Sequence, residues 1–570
     1  MNKAIIISNN NNGNSNRSDS AASSVDEIHI DMDQRRTLSG ISRISESAHG
    51  IPVQEKLCGI NDLQDGEMKE VTLSILSADN VETINYRILV IKEKDKWYAL
   101  APDCTYCNTP LVKGIISHGK VRCPLHGTSF NLKTGKLEDL PGFDSLPAFK
   151  VTLSLTDVFL STSLTKISQT RIIDPMSKCK DSINDPVVIV GAGIAGITCA
   201  ETLRHESYNG RIVIISREDH LPYNRSLLSK NLDLLEDDVI FRDKKFFELH
   251  DIELLLGHRV KTINVEDKIL TMDDEKKITF KYLVISTGGI NKPSTIKGAD
   301  LDGVYSLRDI SDHAIIQECS VKKHVTIVGS GFIASTVLYL KANVVAIIPI
   351  SISPNLCFAA LEVASAIGKR ARSITVLGKS ETPFKIFGPT FGRHIRAFIQ
   401  DHTRITIRQD SLVRSFEGFD HVEHMVLKDG LCAVAQTVII ANGIHPCTSM
   451  LVGSGIQTNT MGYVIVDEQM KTNQSNVFAI GDCTEFPLTL FGGHRVSLPH
   501  AHAAQFQGKI AALSITNRIN SIEYVPFIWT DLFDRHITFC GDFFTTPMAN
   551  VETIVKGDIF QNTYCCYILK

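Results

Sequence analysis

One device occurs twice in this chain and limits its fold more than any other feature: a short apolar strand running straight into a glycine-spaced turn. At 187–204 the sequence reads VVIVGAGIAGITCAETLR, with Gly191-x-Gly193-x-x-Gly196 directly behind the run Val187–Val190. Such a run reads as a parallel strand buried on both faces. Ala195, Ile197, Ala200 and Leu203 then continue at helical spacing. Only glycine lets a backbone turn this tightly and approach a pyrophosphate, while the helix start offers free N–H groups and a positive dipole end. A second strand, RIVIIS (211–216), follows at the distance a strand–helix–strand unit needs. The device returns 138 residues later as HVTIVGSGFIA (324–334), with Gly329-x-Gly331-x-x-Ala334. Two copies predict two dinucleotides, one per doubly wound domain. The bland alternative is an ordinary strand–turn–helix.

Two further strand ends support the nucleotide reading. KYLVISTGG (281–289) closes on Thr287 and Gly288, and TNQSNVFAIGDCTEF (472–486) closes on Gly481-Asp482. An acidic residue ending the second strand would hold a ribose; Glu218, after Ser216-Arg217, is the candidate. Together GAGIAG, LPYNRSLLSK (221–230), LVISTGG, VTIVGSGFIA and VFAIGDC resemble the FAD- and NAD(P)-dependent pyridine nucleotide–disulfide oxidoreductase superfamily, over most of 185–545. LPYNRSLLSK narrows the resemblance to ferredoxin-reductase-like and apoptosis-inducing-factor-like members. The resemblance implies that Gly191, Gly193 and Gly196 hold the FAD pyrophosphate, with Arg225 and Lys230 near the flavin and Asp482 on the ribityl chain. It implies that Gly329, Gly331 and Ala334 hold NAD(P)H. The paired cysteines of the disulfide reductases are missing from 220–240, which argues against a dithiol mechanism.

Ahead of these domains lie CTYCNTPL (104–111) and CPLHG (123–127). In a Rieske centre two cysteines hold one iron and two histidines the other. Cys104-x-Tyr106, then 16 residues, then Cys123-x-x-His126 puts three of four ligands in place, with Tyr106 where an imidazole is expected. TPLVKG (109–114), HGTSFNLKTGKLEDLPG (126–142) and the strand-like NYRILVIKEKDKWYAL (85–100) also match a Rieske-like domain of the ferredoxin type, about 52–160. An un-ionised tyrosine, with a pKa near 10, is a poor iron ligand. Cys107 stands one residue further on. Three outcomes stay open: a [2Fe-2S] cluster with Cys107 as a third thiolate, a domain that keeps its fold without iron, and a zinc site. A Rieske domain joined to such a reductase resembles the apoptosis-inducing-factor-like proteins with an N-terminal Rieske domain. VSLPHAHAAQFQGKIAA (496–512) and YVPFIWTDLFDRHITFCGD (524–542) fit them too.

Three departures qualify the match. After GSGFIA the family pattern resumes at LEVASAIGKRARSITVLGK only if Ser335–Ala360 is removed, which returns Glu362 to its usual place. The 26 residues read as a retained in-frame intron or as a genuine loop, and their two prolines would break the phosphate-binding helix. The ribose position of this second unit, TVLGKSE (375–381), has no acidic strand end; Lys379 there would meet a 2′-phosphate, favouring NADPH. From about 523 only part of the family's C-terminal domain is present.

Composition places limits on partners. The chain of 570 residues has a formal charge of −4, which gives no basic excess for nucleic acid. Its 14 scattered cysteines suit reduced thiols better than a disulfide framework. The apolar stretch 336–361 is interrupted by Lys341, Asn343, Pro349, Pro354 and Asn355, so no integral membrane span is expected. The Asn/Ser-rich start reads as a tail with no targeting signal, which points to the cytoplasm, with mitochondria allowed by the resemblance.

The expected fold is α/β. A disordered tail (1–51) and a small all-β Rieske-like domain (52–160) precede two doubly wound Rossmann-type domains. These are an FAD domain in two parts (185–310 and 436–515) and, inserted between them, an NAD(P) domain (311–435). A partial α+β domain (523–570) follows. The expected activity is an NAD(P)H-dependent FAD oxidoreductase delivering electrons to a Rieske-type centre or to an external acceptor that the sequence does not name. The rivals are a pro-apoptotic or scaffold protein with vestigial redox chemistry, and a ferredoxin reductase whose Rieske domain is inert.

Overall fold

The structure is a computed structural model that describes residues 3–9, 52–76, 82–181, 184–328, 355–368, 370–377, 389–402, 405–408, 411–441, 443–519, 523–532, 535–541, 552–558 and 563–569. The chain divides into two units, residues 11–175 and residues 1–10 with 176–570.

The 11–175 unit is built on a six-stranded sheet in the order Pro52–Gly59, Asp157–Ser163, Ala148–Leu153, Lys96–Leu100, Thr83–Glu93, Met68–Leu76. Every pairing in it is antiparallel. The strand Thr83–Glu93 is buried on both faces over Ile88–Ile91, where its side chains alternate between two cores as a period of two requires. Ile88 and Val90 enter one cluster with Val158 and Leu160. Leu89 and Ile91 enter the other, with Leu111, Phe130 and the cysteines Cys104 and Cys123. A four-stranded sheet, Ile115–Ser117, Lys120–Arg122, Ser129–Asn131 and Leu137–Asp139, carries the second cysteine loop.

The larger unit holds two parallel sheets. The first runs Ile252–Leu255, Ile212–Ile215, Val187–Val190, Tyr282–Ile285, Val477–Ala479. Val187–Val190 is wholly buried, as its unbroken apolar run predicts. The helix Ile194–His205 follows and packs on Ala501–Ile515 so closely that a Cβ on Gly508 would sit 2.4 Å from the Ala195 carbonyl. Arg204, fully buried at the end of the first helix, donates to the carbonyls of Tyr208, Gly210, His250 and Asp251. That pins the helix without a buried counter-charge.

The second parallel sheet runs Val304–Tyr305, Thr437–Ile440, His324–Val328, Ser373–Leu377, Ile405–Arg408. It corrects the expected domain limits. Both 304–305 and 437–440 belong to this sheet, although the sequence reading gave them to the FAD domain. Thr437–Ile440 is buried along its whole length, the mark of a central parallel strand, and composition alone does not say which of two parallel sheets such a strand joins.

One further expectation is corrected. Lys3–Asn9 is a strand and not part of a disordered tail; it lies inside a five-stranded sheet in the order Phe527–Leu532, Arg535–Cys540, Lys3–Asn9, Thr563–Leu569, Glu552–Asp558. The β-branched run Ile5–Ile7 favours a strand, but its partners lie over 500 residues away, beyond any local pattern. The rest of the expected tail lies outside the described residues. Of the supposed insert, 335–354 lies outside the described residues as well. Residues 355–360 form the first part of the helix Asn355–Ile367, which runs on into the segment where the family pattern resumes.

Candidate functional site

In the larger unit the glycine turn has the geometry its spacing demands. Gly191 has φ +113°, and a Cβ there would lie 2.3 Å from the Ser286 carbonyl oxygen. A Cβ on Gly196 would lie 2.2 Å from the Gly191 carbonyl. Gly193 is the N-cap of Ile194–His205, and a Cβ on it would meet nothing within 4 Å. The helix start therefore opens onto free space where a pyrophosphate can approach the N–H groups.

Around this opening the structure gathers most of the predicted FAD residues. Glu218 accepts from Tyr223 Oη at 2.7 Å and from Arg225 Nη2 at 2.7 Å. Burial pushes its carboxyl up, but Arg225 and Tyr223 outweigh burial and hold it below the usual range. Arg225 also donates to the Arg308 carbonyl at 2.6 Å. Arg308 faces Asp482 at 3.6 Å, and burial nonetheless pushes the Asp482 carboxyl up. Thr287 Oγ1 is buried without a hydrogen-bond partner of ordinary geometry, with the Cys483 thiol beside it. Gly288, at φ +62°, turns the chain beneath Arg308. A cleft of about 160 Å³ is lined by Arg225, Ser229, Asn291, Arg308, Val363 and Asp482 among others.

Glu362 stands behind the cleft residue Ser229. Its carboxylate accepts from Lys230 Nζ at 2.6 Å, Ser229 Oγ at 2.5 Å and Thr530 Oγ1 at 2.6 Å. It thus ties three segments together: the loop after the first ribose strand, the helix Asn355–Ile367 and the strand Phe527–Leu532. Of the residues expected at NAD(P), Gly329, Gly331, Ala334 and Lys379 lie outside the described residues. Sequence reasoning missed Arg308 and Thr530. Arg308 could have been found, since it sits just before the capping box Asp309–Asp312 that starts the helix Ile310–Cys319. Thr530 carried no signal.

In the 11–175 unit the two cysteine loops are one turn used twice. Cys104 N–H donates to the Thr109 carbonyl at 2.9 Å, and Asn108 N–H returns to the Cys104 carbonyl at 2.8 Å. Cys123 N–H donates to the Thr128 carbonyl at 2.8 Å, and Gly127 N–H to the Cys123 carbonyl at 3.2 Å. Asn108 and Gly127 both take positive φ, 55° and 76°. Arg87 braces the first loop through Glu70 and Asp103, and Arg122 braces the second through the Gly127 carbonyl at 3.1 Å. By this backbone match Cys107 occupies the turn position of His126, although it is the Tyr106 ring that stands against the His126 ring.

The donors sort into two ends. Cys104, Cys107 and Cys123 have their sulfurs within 4.8 Å of one another, with Cys107 Sγ 3.6 Å from Cys123 Sγ. Burial raises the Cys104 thiol, but the neighbouring Cys107 and Cys123 thiols and the N–H groups of Tyr106 and Cys107 outweigh it and hold Cys104 well below its ordinary value. At the other end the Tyr106 ring stands edge-on to His126, centroids 5.1 Å apart.

Two family profiles cover these regions. The profile of the pyridine nucleotide-disulphide oxidoreductases matches residues 185–346 and 357–508. The chain belongs to that family. The Rieske [2Fe-2S] domain profile matches residues 55–150. Apoptosis-inducing factor 3 of Mus musculus is 31% identical over 526 residues, which cover 91% of this chain and 80% of the mouse protein. The ferredoxin–NAD(+) reductase subunit of a Pseudomonas putida benzene 1,2-dioxygenase system is 27% identical, over 62% of this chain and 80% of that subunit. A crystallographic ferredoxin reductase from Rhodopseudomonas palustris superposes with a TM-score of 0.59 at 24% identity, covering 68% of this chain and 91% of its own, and shares the fold. This family member is thus an apoptosis-inducing-factor-like, NAD(P)H-dependent FAD oxidoreductase of the electron-transferring kind, with an N-terminal Rieske domain. The family binds FAD and NAD(P)H, and the Rieske domain indicates a [2Fe-2S] centre. The open turn at Gly193 fits FAD. Cys104 and Cys123 fit the thiolate end of a two-iron centre. The imidazole end offers His126 beside a tyrosine, so the set departs from two cysteines and two histidines. Among the described residues no helix is long and apolar enough to cross a membrane.

Proposed function

We propose that this oxidoreductase passes electrons from NAD(P)H through FAD to a separate one-electron carrier of the ferredoxin type, the partner class that its reductase relatives are named for. Bound FAD supplies the conversion from two-electron hydride chemistry to one-electron transfer. The chain's own residues supply position and charge. Gly191, Gly193 and Gly196 admit the pyrophosphate to the helix start, Glu218 takes a ribose, and Asp482 takes a ribityl hydroxyl. Arg225 and Asp482 line the same cleft, and Lys230, held by Glu362, stands next to its lining residue Ser229. Gly329, Gly331 and Ala334 would hold the nicotinamide nucleotide, and Lys379 would favour NADPH. In the thiol loops Cys104, Cys123, His126 and Cys107 are the proposed metal ligands.

The observation that carries this reading is the open helix start at Gly193, within one unit with the Arg308–Asp482 pair and the cleft. The test is denaturation of the purified chain and assay of the released flavin, followed by NADPH- and NADH-driven reduction of a ferredoxin. FAD release with ferredoxin reduction supports the proposal; absence of flavin overturns it. Asp482→Ala should weaken FAD retention, because a charge-assisted hydrogen bond contributes about 1.5–3 kcal/mol.

A further inference from the structure

The third thiol of the cysteine loops has no counterpart in a centre of two cysteines and two histidines. Its position decides what it can do. If Cys107 replaced the missing imidazole, its sulfur would have to reach the iron held by His126, at the far end of the site. It lies at the opposite end, 3.6 Å from Cys123 Sγ and within 4.8 Å of Cys104 Sγ. Metal–thiolate bonds of ~2.3 Å in a tetrahedron separate neighbouring sulfurs by ~3.8 Å. Cys107 and Cys123 therefore stand at the spacing of two ligands on one metal ion.

The surroundings suit a closed metal site. Cys104 and Cys123 are buried, at 0% and 1% exposure, within an apolar cluster that keeps bulk water off the sulfurs. The Thr109 hydroxyl lies 3.1 Å from Cys107 Sγ. Backbone N–H groups of Tyr106 and Cys107 point at Cys104. The repeated turn, with Asn108 and Gly127 both at positive φ, fixes the loops before any metal arrives.

We infer that Cys104, Cys107 and Cys123 together form a mononuclear three-thiolate site for a soft divalent ion of the zinc class, a second metal-binding mode that competes with a two-iron centre in the same loops. Each coordinating thiol yields its proton to solvent as its metal–sulfur bond forms, and one tetrahedral position is left for a fourth donor. Soft thiolate ligands select zinc-class ions over magnesium or calcium. The inference is independent of the flavin reading, since these ligands lie in the 11–175 unit and the FAD cleft in the other.

The test uses the full chain, reduced, stripped of metal and titrated with Co²⁺ as a spectroscopic stand-in for Zn²⁺. The wild type should bind one Co²⁺ with a sulfur-to-metal charge-transfer band of three-thiolate intensity, displaced by Zn²⁺ and untouched by excess Mg²⁺. Cys107→Ala and Cys107→Ser should each lower Co²⁺ affinity by at least ~100-fold, at or beyond the top of the 10–100-fold range for losing an outer-shell partner. Each should also reduce the band by the share of one thiolate in three. Cys432→Ser, at an exposed position, should change nothing. Under anaerobic reconstitution with iron and sulfide, Zn²⁺-loaded wild type should take up less iron than stripped wild type. Tyr106→His should shift the balance towards ~2 Fe per chain. Equal Co²⁺ affinity and band intensity in wild type and both Cys107 variants would overturn the inference, as would failure of the reduced wild type to bind Co²⁺. A reduced protein whose circular dichroism matches wild type keeps a loss in either variant from being ascribed to unfolding.

Discussion

At the glycine turn the groups offered to a ligand are backbone atoms, whereas in the cysteine loops they are side chains. The two cradles are otherwise alike: each is a tight turn fixed by main-chain hydrogen bonds and positive φ angles. The difference decides what can drift. At Gly191 and Gly196 a single added carbon meets a carbonyl oxygen at 2.2–2.3 Å, so frame and function fail together. In the loops the frame rests on Asn108, Gly127, Thr109 and Thr128. The donors at 106, 107 and 126 can change while the turn stays. A family frame can therefore outlast its family's metal chemistry, and the donor set must be read separately from the frame.

The largest expected effect is at the glycine turn. Gly191→Ala should cost more than about 4 kcal/mol, in the range set by severe backbone strain and overpacking, and should yield flavin-free protein. Urea unfolding and flavin content check it. A flavin-loaded Gly191→Ala protein would break the comparison, because it would show the backbone cradle to be as tolerant as the loops.

Next comes the Lys230–Glu362 pair, where side chains do the work inside the larger unit. Lys230→Met leaves Glu362, 6% exposed, without its cation and should cost about 3–5 kcal/mol. Lys230→Met with Glu362→Gln should recover part of that loss. Thermal unfolding of the single and double variants would show it. No recovery would mean that Lys230 acts through packing of its stem alone.

A smaller effect sharpens the claim about the loops. Gly127→Val should cost about 1–2 kcal/mol, because its φ of +76° is strained for a branched side chain. Gly127→Asn should be nearly neutral, since Asn108 holds the matching place in the first loop at +55°. Equal losses for the two variants would mean that the loops are not copies of one turn.

The smallest effect is in pH dependence. Glu218 ionises below the ordinary carboxylate range because Arg225 and Tyr223 outweigh its burial. Its contribution to stability is therefore complete above the unfolded-state value near 4.5 and is lost as pH falls through the lower folded-state value. Acid denaturation of wild type and Glu218→Gln should converge below that window and diverge above it.

The frame was legible because its signals are local. Val187–Val190 and the turn behind it announce a parallel strand and a phosphate site within ten residues. The loops were legible for the same reason, down to the displaced Tyr106. Long-range arrangements left no local trace. Nothing near Thr437–Ile440 says which parallel sheet it joins, and nothing near Glu362 predicts that Lys230 and Thr530 converge on it. Cys107 was noticed, but which end of the site its sulfur occupies depends on side-chain direction within a turn, and spacing does not encode that.

The strand Lys3–Asn9 gives the chain an unusual timetable. On the ribosome it is made more than 500 residues before either strand it pairs with, Arg535–Cys540 and Thr563–Leu569. At the ~5–20 residues per second of synthesis it waits on the order of a minute with both edges unpaired. Nascent chains would then benefit from a chaperone on Lys3–Asn9, and a fusion tag placed beside this strand would meet the sheet at the moment it closes.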